Sequence, residues 1–378
     1  MVARREMKLL FLSSMSLILF AYMGYPVYMY FRARFWPRPI HRAKIFPSVT
    51  IVMAVHNEEK YLPGKLRNLA ALDYPSDALE VIVVSDGSTD QTNKILGELQ
   101  NGGVRAVILP KHQGKANALN HGMAEAQGEI ICFTDARQII DSNGLKNLVE
   151  NFADPLVGCA SGALIIGEKH FVPPSDGVGL YWQLEKQIRN WEGLAGSTVG
   201  ATGGFYAVRK DLLLPLPVGT ILDDVYIPLH VARQAKRVVF DMKALAWDDF
   251  TPSPKQEFRR KVRTLAGNYQ LLRLAPWLLT RANPLRIEFV CHKLLRLLVP
   301  FALVGVLVST FWLRQGLYEL ILDLQIGLYA LATLTILRKK PDFLSRLSNI
   351  SLAFLMLNIA AAVAFIYFIT GRKKVWAR

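Results

Sequence analysis

Residues 79–92 read LEVIVVSDGSTDQT, and this stretch decides the fold. Its first half is a continuous apolar, β-branched run, which is typical of a strand buried on both faces of a parallel sheet. Its second half changes at once to acids, a glycine and hydroxyl side chains. Such a break is either an ordinary turn or the rim of a site, because ligands of open α/β sheets bind where the strands end.

The same alternation of strand and helix continues on both sides of this stretch. Its β-α-β-α-β-α-β order predicts an open, mostly parallel α/β sheet. Ser88 and Gln91 form the pattern of a capping box, which predicts that the second helix begins there. The strands are predicted at residues 49–55, 79–85, 104–110 and 129–136, and the helices at 58–71, 88–100 and 114–128.

Four apolar segments are candidates to cross a membrane. Residues 9–31 and 350–370 are uncharged and long enough for a spanning helix, and residues 297–313 are a shorter uncharged run. Residues 317–337 carry two acids, so a re-entrant or interfacial helix is the alternative there. The net charge of +15 suits membrane lipids and phosphate-bearing substrates, and no basic array with interleaved aromatics indicates nucleic acid.

These segments predict three parts of the chain. We expect a transmembrane anchor at 1–34, an α/β domain at 35–285 and a membrane domain of about three helices at 286–378. More basic residues follow the first span than precede it, so the positive-inside rule predicts a cytoplasmic α/β domain on a multi-pass protein of the cell membrane. The basic tail would then lie outside, which leaves the number of C-terminal spans open.

Three predicted strands end in acids or amides. Asn57-Glu58 follow the first strand, Asp86 ends the second and Asp135 follows the fourth. A single acidic strand end is a turn signal, whereas three at one edge of a sheet indicate a site. Asp90 is ambiguous, since the first turn of a helix favours an acid in any case.

Five segments of the chain resemble the motifs of family 2 glycosyltransferases. These are inverting enzymes of the GT-A fold, which is a Rossmann-like, mostly parallel sheet, and they use nucleotide sugars. The flanking membrane helices are similar to those of chitin-oligosaccharide, hyaluronan and cellulose synthases. The segments that carry the resemblance are AVHNEE, VVSDGSTD, GKANALN, CFTDA and LDD.

The resemblance implies a role for several residues. Asp224 would deprotonate the acceptor hydroxyl, and Asp135 would bind Mg²⁺ or Mn²⁺ as the first acid of the metal motif. The positions that the resemblance assigns to the nucleoside and the phosphates of the donor are Asn57, Glu58, Asp86, Lys115 and Arg263.

Two further stretches are less specific. Gly203 and Gly204 allow a close backbone approach and, with Arg209, are candidates to line an acceptor site, although strand packing with a turn explains the neighbouring aromatics as well. The acids of residues 247–250, WDDF, are a second candidate site, and a solvated turn is the favoured interpretation.

The sequence departs from the family pattern at three motifs. Ser85 replaces the first of the two acids before the Gly-Ser pair, and Arg137 replaces the second acid of the metal motif. Arg260 and Thr264 stand where the Gln-x-x-Arg-Trp motif has glutamine and tryptophan. The missing tryptophan argues against processive synthesis.

Together these features predict a membrane-bound inverting glycosyltransferase. The expected donor is a UDP-sugar and the expected acceptor a membrane-associated glycan or lipid-linked saccharide, in exopolysaccharide or cell-envelope synthesis. Two alternatives stay open. The first is a polyprenyl-phosphate glycosyltransferase, and the second is a non-catalytic nucleotide-binding subunit of a glycan export system.

Overall fold

The computed structural model describes residues 2–98, 103–167, 177–248, 253–337 and 343–371. Its centre is one mixed sheet of eight strands within the described residues. The strands are β1 Val49–Val55, β2 Leu79–Asp86, β3 Val104–Leu109, β4 Ile130–Thr134, β5 Ile139–Ile140, β6 Val157–Ile166, β7 Phe205–Arg209 and β8 Arg237–Asp248.

The strand directions bring the chemistry to one edge of the sheet. The spatial order is β3-β2-β1-β4-β7-β6-β8-β5, and the first four of these strands are parallel neighbours. β7 runs antiparallel to both β4 and β6, so it begins where β4 ends. The carboxyl ends of β1, β2 and β4 therefore share an edge with the segment that leads into β7.

The strand β1 is covered on both faces, as its apolar sequence predicts. Ile51 and Met53 are fully buried in one hydrophobic cluster, and Val52 is fully buried in the cluster on the other face. Because side chains alternate along a strand, this burial requires helices on both sides of the sheet. The mostly parallel α/β fold predicted from the sequence is confirmed.

Helices flank this sheet and continue into the apolar segments. Short π-helical turns join α1 to α2 and α10 to α11. The helices are α1 Val2–Leu19, α2 Tyr25–Phe35, α3 Leu62–Ala70, α4 Thr92–Glu98, α5 Lys115–Glu125, α6 Gly144–Val149, α7 Gly177–Ala195, α8 Asp223–Arg233, α9 Pro254–Leu274, α10 Arg286–Phe289, α11 Leu295–Leu313, α12 Leu317–Leu337 and α13 Phe343–Thr370.

Four helical segments among the described residues are long and apolar enough to cross a membrane. Below, the first span means Val2–Phe35 and the second span Arg286–Leu313. The α/β domain meets this bundle through α9, whose buried residues Val262, Ala266 and Tyr269 pack against small residues of α13. Helix α13, in the fourth apolar segment, therefore supports α9 of the α/β domain.

The start of α4 differs from the predicted capping box. The Ser88 hydroxyl accepts a hydrogen bond from the backbone N–H of Asn57 at 3.2 Å, so it bridges two loops. Asp90 instead accepts from the backbone N–H of Thr92 at 3.0 Å, and the helix begins at that residue. The predicted end of this helix, at residue 100, lies outside the described residues.

Candidate active site

The loops after β1 and β2 are locked to each other. The Asn57 side-chain oxygen accepts from the Thr89 backbone N–H at 2.8 Å, and the Glu58 backbone N–H donates to the Thr92 hydroxyl at 2.9 Å. Asn57 itself adopts a left-handed backbone with φ 55°, a conformation that asparagine tolerates better than most residues. The polar residues after the strand therefore shape the rim as well as facing it.

Asp86 holds the loop that precedes α5. Its two carboxylate oxygens accept from the backbone N–H groups of Gln113 at 2.8 Å and Gly114 at 2.7 Å, and the side chain is almost fully buried. Gly87 has φ 63°, and a Cβ there would lie 2.2 Å from the His112 backbone nitrogen. The two loops thus touch backbone to backbone, which fixes the position of the first residue of α5, Lys115.

Lys115 lies between two carboxylates that are distant in sequence. Its Nζ is 3.0 Å from an Asp135 oxygen and 3.5 Å from an Asp223 oxygen. Burial alone would lower the pKa of Lys115, but the charges of these two acids raise that pKa above its ordinary value. The lysine therefore stays protonated and presents a fixed positive charge at the strand edge.

Asp223 and Asp224 open helix α8 and take different partners. The Tyr206 hydroxyl donates to Asp223 at 3.1 Å. The Asp224 carboxylate faces Gly203, where a Cβ would lie 2.9 Å from its Oδ2 atom. Burial, and then the charge of Asp223, raise the pKa of Asp224 to about 6, against the opposing charges of Lys115 and Arg189. Asp224 thus has the properties of a general base near neutral pH.

The pKa of Asp224 predicts the acid limb of the activity. A base must be ionised to accept a proton, so kcat/KM should fall about tenfold per pH unit as the pH drops below about 6. A profile of kcat/KM against pH measures this, with the thermal midpoint recorded at each pH to separate loss of the base from unfolding. A flat profile through this range in folded protein contradicts the assignment.

A buried lysine missed by the sequence analysis supports the end of β4. Lys65 is fully buried, and its Nζ donates to the Thr134 hydroxyl at 2.8 Å and to the Gln138 carbonyl at 2.7 Å. Burial lowers the pKa of Lys65 to about 7. Its position three residues after Leu62 and one before Leu66, on the apolar stripe of α3, was the available signal.

Arg137, which replaces the second acid of the metal motif, forms a bidentate ion pair with Asp248. Its Nε and Nη2 atoms donate to the two carboxylate oxygens of Asp248 at 2.8 and 2.7 Å, and Gln138 donates to the same carboxylate at 3.1 Å. Asp248 is buried at the end of β8, so the favoured interpretation of WDDF as a solvated turn is wrong at this residue. Residues 249 and 250 lie outside the described residues.

Two histidines at the rim were also missed. The rings of His56 and His112 lie 4.1 Å apart, and each has a nitrogen within hydrogen-bond range of the Asp86 carbonyl, at 2.8 and 3.3 Å. His56 directly follows β1, and His112 follows β3 by three residues. Strand ends, rather than metal-ligand spacing, were the signal for these two residues.

The glycine-rich loop reaches the site, but Arg209 does not. The Gly204 carbonyl accepts from the Thr134 hydroxyl at 2.9 Å, at the end of β4. Arg209 pairs with Ile130 at the beginning of β4, and its guanidinium donates to the carbonyls of Phe152 and Val157. The structure therefore places Arg209 at the opposite edge of the sheet.

Arg263 is exposed on α9, the helix that supports the segment before Asp223. The Gln270 side chain on α9 donates to the Gly219 carbonyl at 2.8 Å and accepts from the Ile221 backbone N–H at 3.0 Å. Nearer the start of the helix, Arg260 pairs with Glu257 at 2.9 Å. Helix α9, which carries Arg263, is thus hydrogen-bonded to the segment that leads into Asp223 and Asp224.

Comparison with known proteins assigns the class. Residues 50–214 match the family model described as glycosyl transferase family 2. The chain therefore carries a family 2 glycosyl transferase domain, and this domain has the GT-A fold. The resemblance found in the sequence is confirmed.

Curated relatives and a solved structure extend the comparison. The poly-beta-1,6-N-acetyl-D-glucosamine synthase of Staphylococcus aureus strain COL is 26% identical over 230 residues, and that of Staphylococcus epidermidis is 25% identical over 230 residues. Each match covers 60% of this chain and 55% of the relative, so the chain matches about half the length of these relatives. The mannosyltransferase PcManGT from Pyrobaculum calidifontis, in complex with GDP-Man and Mn²⁺, aligns with a TM-score of 0.75 at 23% identity over 96% of this chain and 99% of its own, a likeness of fold.

Proposed function

We propose that the chain transfers a sugar, with inversion, from a nucleotide sugar to a membrane-associated glycan or lipid-linked acceptor. The observation that carries this proposal is Asp224, a carboxylate with a raised pKa beside the pair formed by Lys115 and Asp135. The family 2 domain supports a nucleotide-sugar donor, and the name of the curated relatives supports N-acetylglucosamine as the sugar and a polysaccharide as the product.

The proposed reaction is an in-line displacement. The acceptor hydroxyl oxygen attacks the anomeric carbon, the bond between that carbon and the diphosphate oxygen breaks, and its electron pair leaves with the nucleoside diphosphate. Asp224 takes the proton of the acceptor hydroxyl as the new bond forms. The positive charge of Lys115 stabilises the charge that develops on the leaving group.

The remaining residues proposed to bind the nucleotide sugar lie at the rim of the site. Asn57 and Glu58 are proposed to face the nucleoside, whereas Asp86 acts through the loop that it holds, because its oxygens already accept backbone N–H groups. Arg263 is proposed to reach the diphosphate from α9. Gly203 lets the Asp224 carboxylate approach the backbone closely, as Gly204 does for the Gln138 side chain, and this loop is proposed to line the acceptor site beside Asp224.

A divalent cation fits this site through a single protein carboxylate. Among the described residues no group of three or more His, Cys, Asp or Glu side chains could hold a metal by itself. Asp135 is 40% exposed, and Mg²⁺ commonly takes one or two carboxylates together with substrate phosphates and water. Asp135 would hold the ion, which would neutralise charge on the diphosphate, while Arg137 is held by Asp248.

The four apolar segments support a proposed membrane arrangement. We propose a multi-pass protein with an anchor at 1–34, a catalytic domain at 35–285 that faces the cytoplasm, and a membrane domain at 286–378. Basic residues at the end of the first span support this orientation by the positive-inside rule.

A panel of nucleotide sugars tests the proposed function. Purified full-length protein in lipid should consume one donor, with a UDP-sugar preferred, and mass spectrometry should find the sugar on a glycan or lipid-linked saccharide. The Asp224→Asn variant serves as the blank. Absence of turnover with every donor and a membrane extract as acceptor source contradicts the proposal.

A lipid phosphate is the second candidate acceptor. The charges of Arg189 and Lys293 act on Asp224, and Lys293 belongs to the second span, so cations meet the proposed base at the membrane boundary. Extraction of the product into organic solvent separates the two acceptors. A single sugar on a polyprenyl phosphate supports the second candidate and overturns the glycan acceptor.

A further inference from the structure

A cavity lies at the edge of the sheet opposite the one that carries Asp135. It has a volume of about 240 Å³, and its wall includes Arg32 of the first span, Arg237 at the start of β8 and Leu285 just before the second span. The beginning of β8 lies beside the beginning of β6, at the edge of the sheet opposite the candidate active site. The cavity is therefore a separate feature, where two spans meet the α/β domain.

The cavity wall has an excess of positive charge. Four cations line it, and the carboxylates that line it already have partners. Glu288 pairs with Arg32 at 2.5 Å, and Glu192 accepts from the Tyr25 hydroxyl at 2.5 Å and contacts a ring nitrogen of His292 at 2.7 Å. The four cations are Arg32, Arg38, Lys236 and Arg237.

Two of these cations, Arg38 and Arg237, lie close enough for their charges to repel each other. The Arg237 guanidinium is fixed by the backbone carbonyls of Gly193, Gly196 and Pro39. Burial lowers the pKa of Arg237, and the charge of Arg38 lowers it further against the opposing charge of Asp154. Arg38 is exposed, and its side chain makes no hydrogen bond or ion pair with the residues that the structure describes. An anion in the cavity would relieve this repulsion.

An apolar cleft continues from the cavity along the first span. Arg32 lines both the cavity and this cleft, whose other walls are Tyr28, Phe31 and Trp36. These aromatic side chains are exposed at the end of the first span, as is typical of the level where lipid headgroups begin. The pair of features suits a molecule with an anionic head and an apolar tail.

We infer that this cavity binds the phosphate of an anionic phospholipid, with the acyl chains against the aromatic cleft. Basic pockets between spanning helices are suited to lipid headgroups, and each cation contributes about 1 kcal/mol near an anionic surface. The site is independent of the sugar-transfer site, so binding, rather than activity, is the readout.

Ala235 provides a matched pair of variants at the cavity wall. Its backbone φ is 59°, a left-handed conformation that Asp and Asn adopt more readily than most residues. Ala235→Asp and Ala235→Asn have nearly the same shape and differ in charge. Arg38→Gln removes a cation from the cavity, and Arg34→Gln removes an exposed cation of the same helix end that does not line it.

Native mass spectrometry of the full-length protein from detergent with phosphatidylglycerol or phosphatidylcholine tests the inference. We expect selective retention of phosphatidylglycerol, about fivefold weaker in Arg38→Gln, as loss of about 1 kcal/mol requires. Ala235→Asp should also retain less phosphatidylglycerol, whereas Ala235→Asn and Arg34→Gln should retain it as the native protein does. Equal retention of both lipids, or equal effects within either pair of variants, overturns the site.

Glycerol phosphate and inorganic phosphate distinguish the source of the anion. If the lipid is the ligand, neither soluble phosphate displaces phosphatidylglycerol at matched concentration, because the apolar cleft contributes to binding. Displacement by either of them, with the same dependence on Arg38, assigns the cavity to a free phosphate and overturns the lipid as its source.

Discussion

Asp224→Asn should lower kcat by about 10²–10⁴-fold, the usual contribution of a positioned general base, and should leave donor affinity nearly unchanged. The amide keeps the shape of the side chain but cannot take the proton of the acceptor hydroxyl. Steady-state kinetics for turnover and calorimetry for donor binding measure the two effects separately. Asp211→Asn, at an exposed position outside the site, is the matched control.

The stability of this variant provides an internal check on folding. The pKa of Asp224 is raised in the folded protein, so the folded state favours the protonated form and ionised Asp224 reduces stability above pH about 6. Removing that charge should raise the thermal midpoint at neutral pH. A folded variant that keeps its turnover contradicts the general-base role. Donor binding without any turnover in the native protein supports the non-catalytic subunit.

Lys115→Met should lower kcat/KM for the donor by about 10²–10³-fold, similar to the loss of one fixed charge-stabilising group in other active sites. The lysine joins Asp135 to Asp223 and, in the proposed reaction, faces the leaving diphosphate. Lys111→Met removes the same charge from an exposed position four residues upstream and is the matched control.

Inhibition by free nucleoside diphosphate separates the two roles of Lys115. Loss of a phosphate contact weakens this inhibition in Lys115→Met, whereas Lys115→Arg restores part of it. If Lys111→Met and Lys115→Met have equal effects, the charge acts through the general field of the domain, and the contact with the leaving group is ruled out.

The sheet divides into a part that the sequence predicts and a part that it does not. β1 to β4 are apolar runs with helices between them, so local pattern suffices. β6 is rich in glycine and alanine, and β8 contains charged residues at Asp241 and Lys243, so neither has a strong strand pattern. Their pairing depends on contacts between distant residues, which a single sequence does not reveal.

The same limit explains Arg209. The stretch that contains it was predicted to line an acceptor site, and the Gly204 carbonyl lies at the end of β4, where it accepts from Thr134. β7 then runs antiparallel to β4, so each further residue moves away from the site. The direction of a strand depends on the strands that it pairs with. The antiparallel direction of β7 decides which residues of this stretch reach the site.

The site itself was predictable where polar residues follow strands. Asn57, Asp86 and Asp135 stand out against the apolar runs before them. Lys65 did not stand out, because it lies on the apolar stripe of α3, and Asp248 was singled out with the WDDF stretch but interpreted as part of a solvated turn. The Lys65 ammonium donates to two neutral oxygens and Asp248 pairs with Arg137, and only the tertiary structure displays these contacts.

The packing of α9 against α13 sets a condition for preparing the α/β domain alone. A fragment cut at residue 285 would turn the apolar face of Val262, Ala266 and Tyr269 into a water-exposed patch. The same helix carries Gln270, which fixes the segment before Asp223. Truncation at residue 285 would therefore loosen the segment that precedes Asp224, the proposed base, so a soluble fragment requires a substitute for α13.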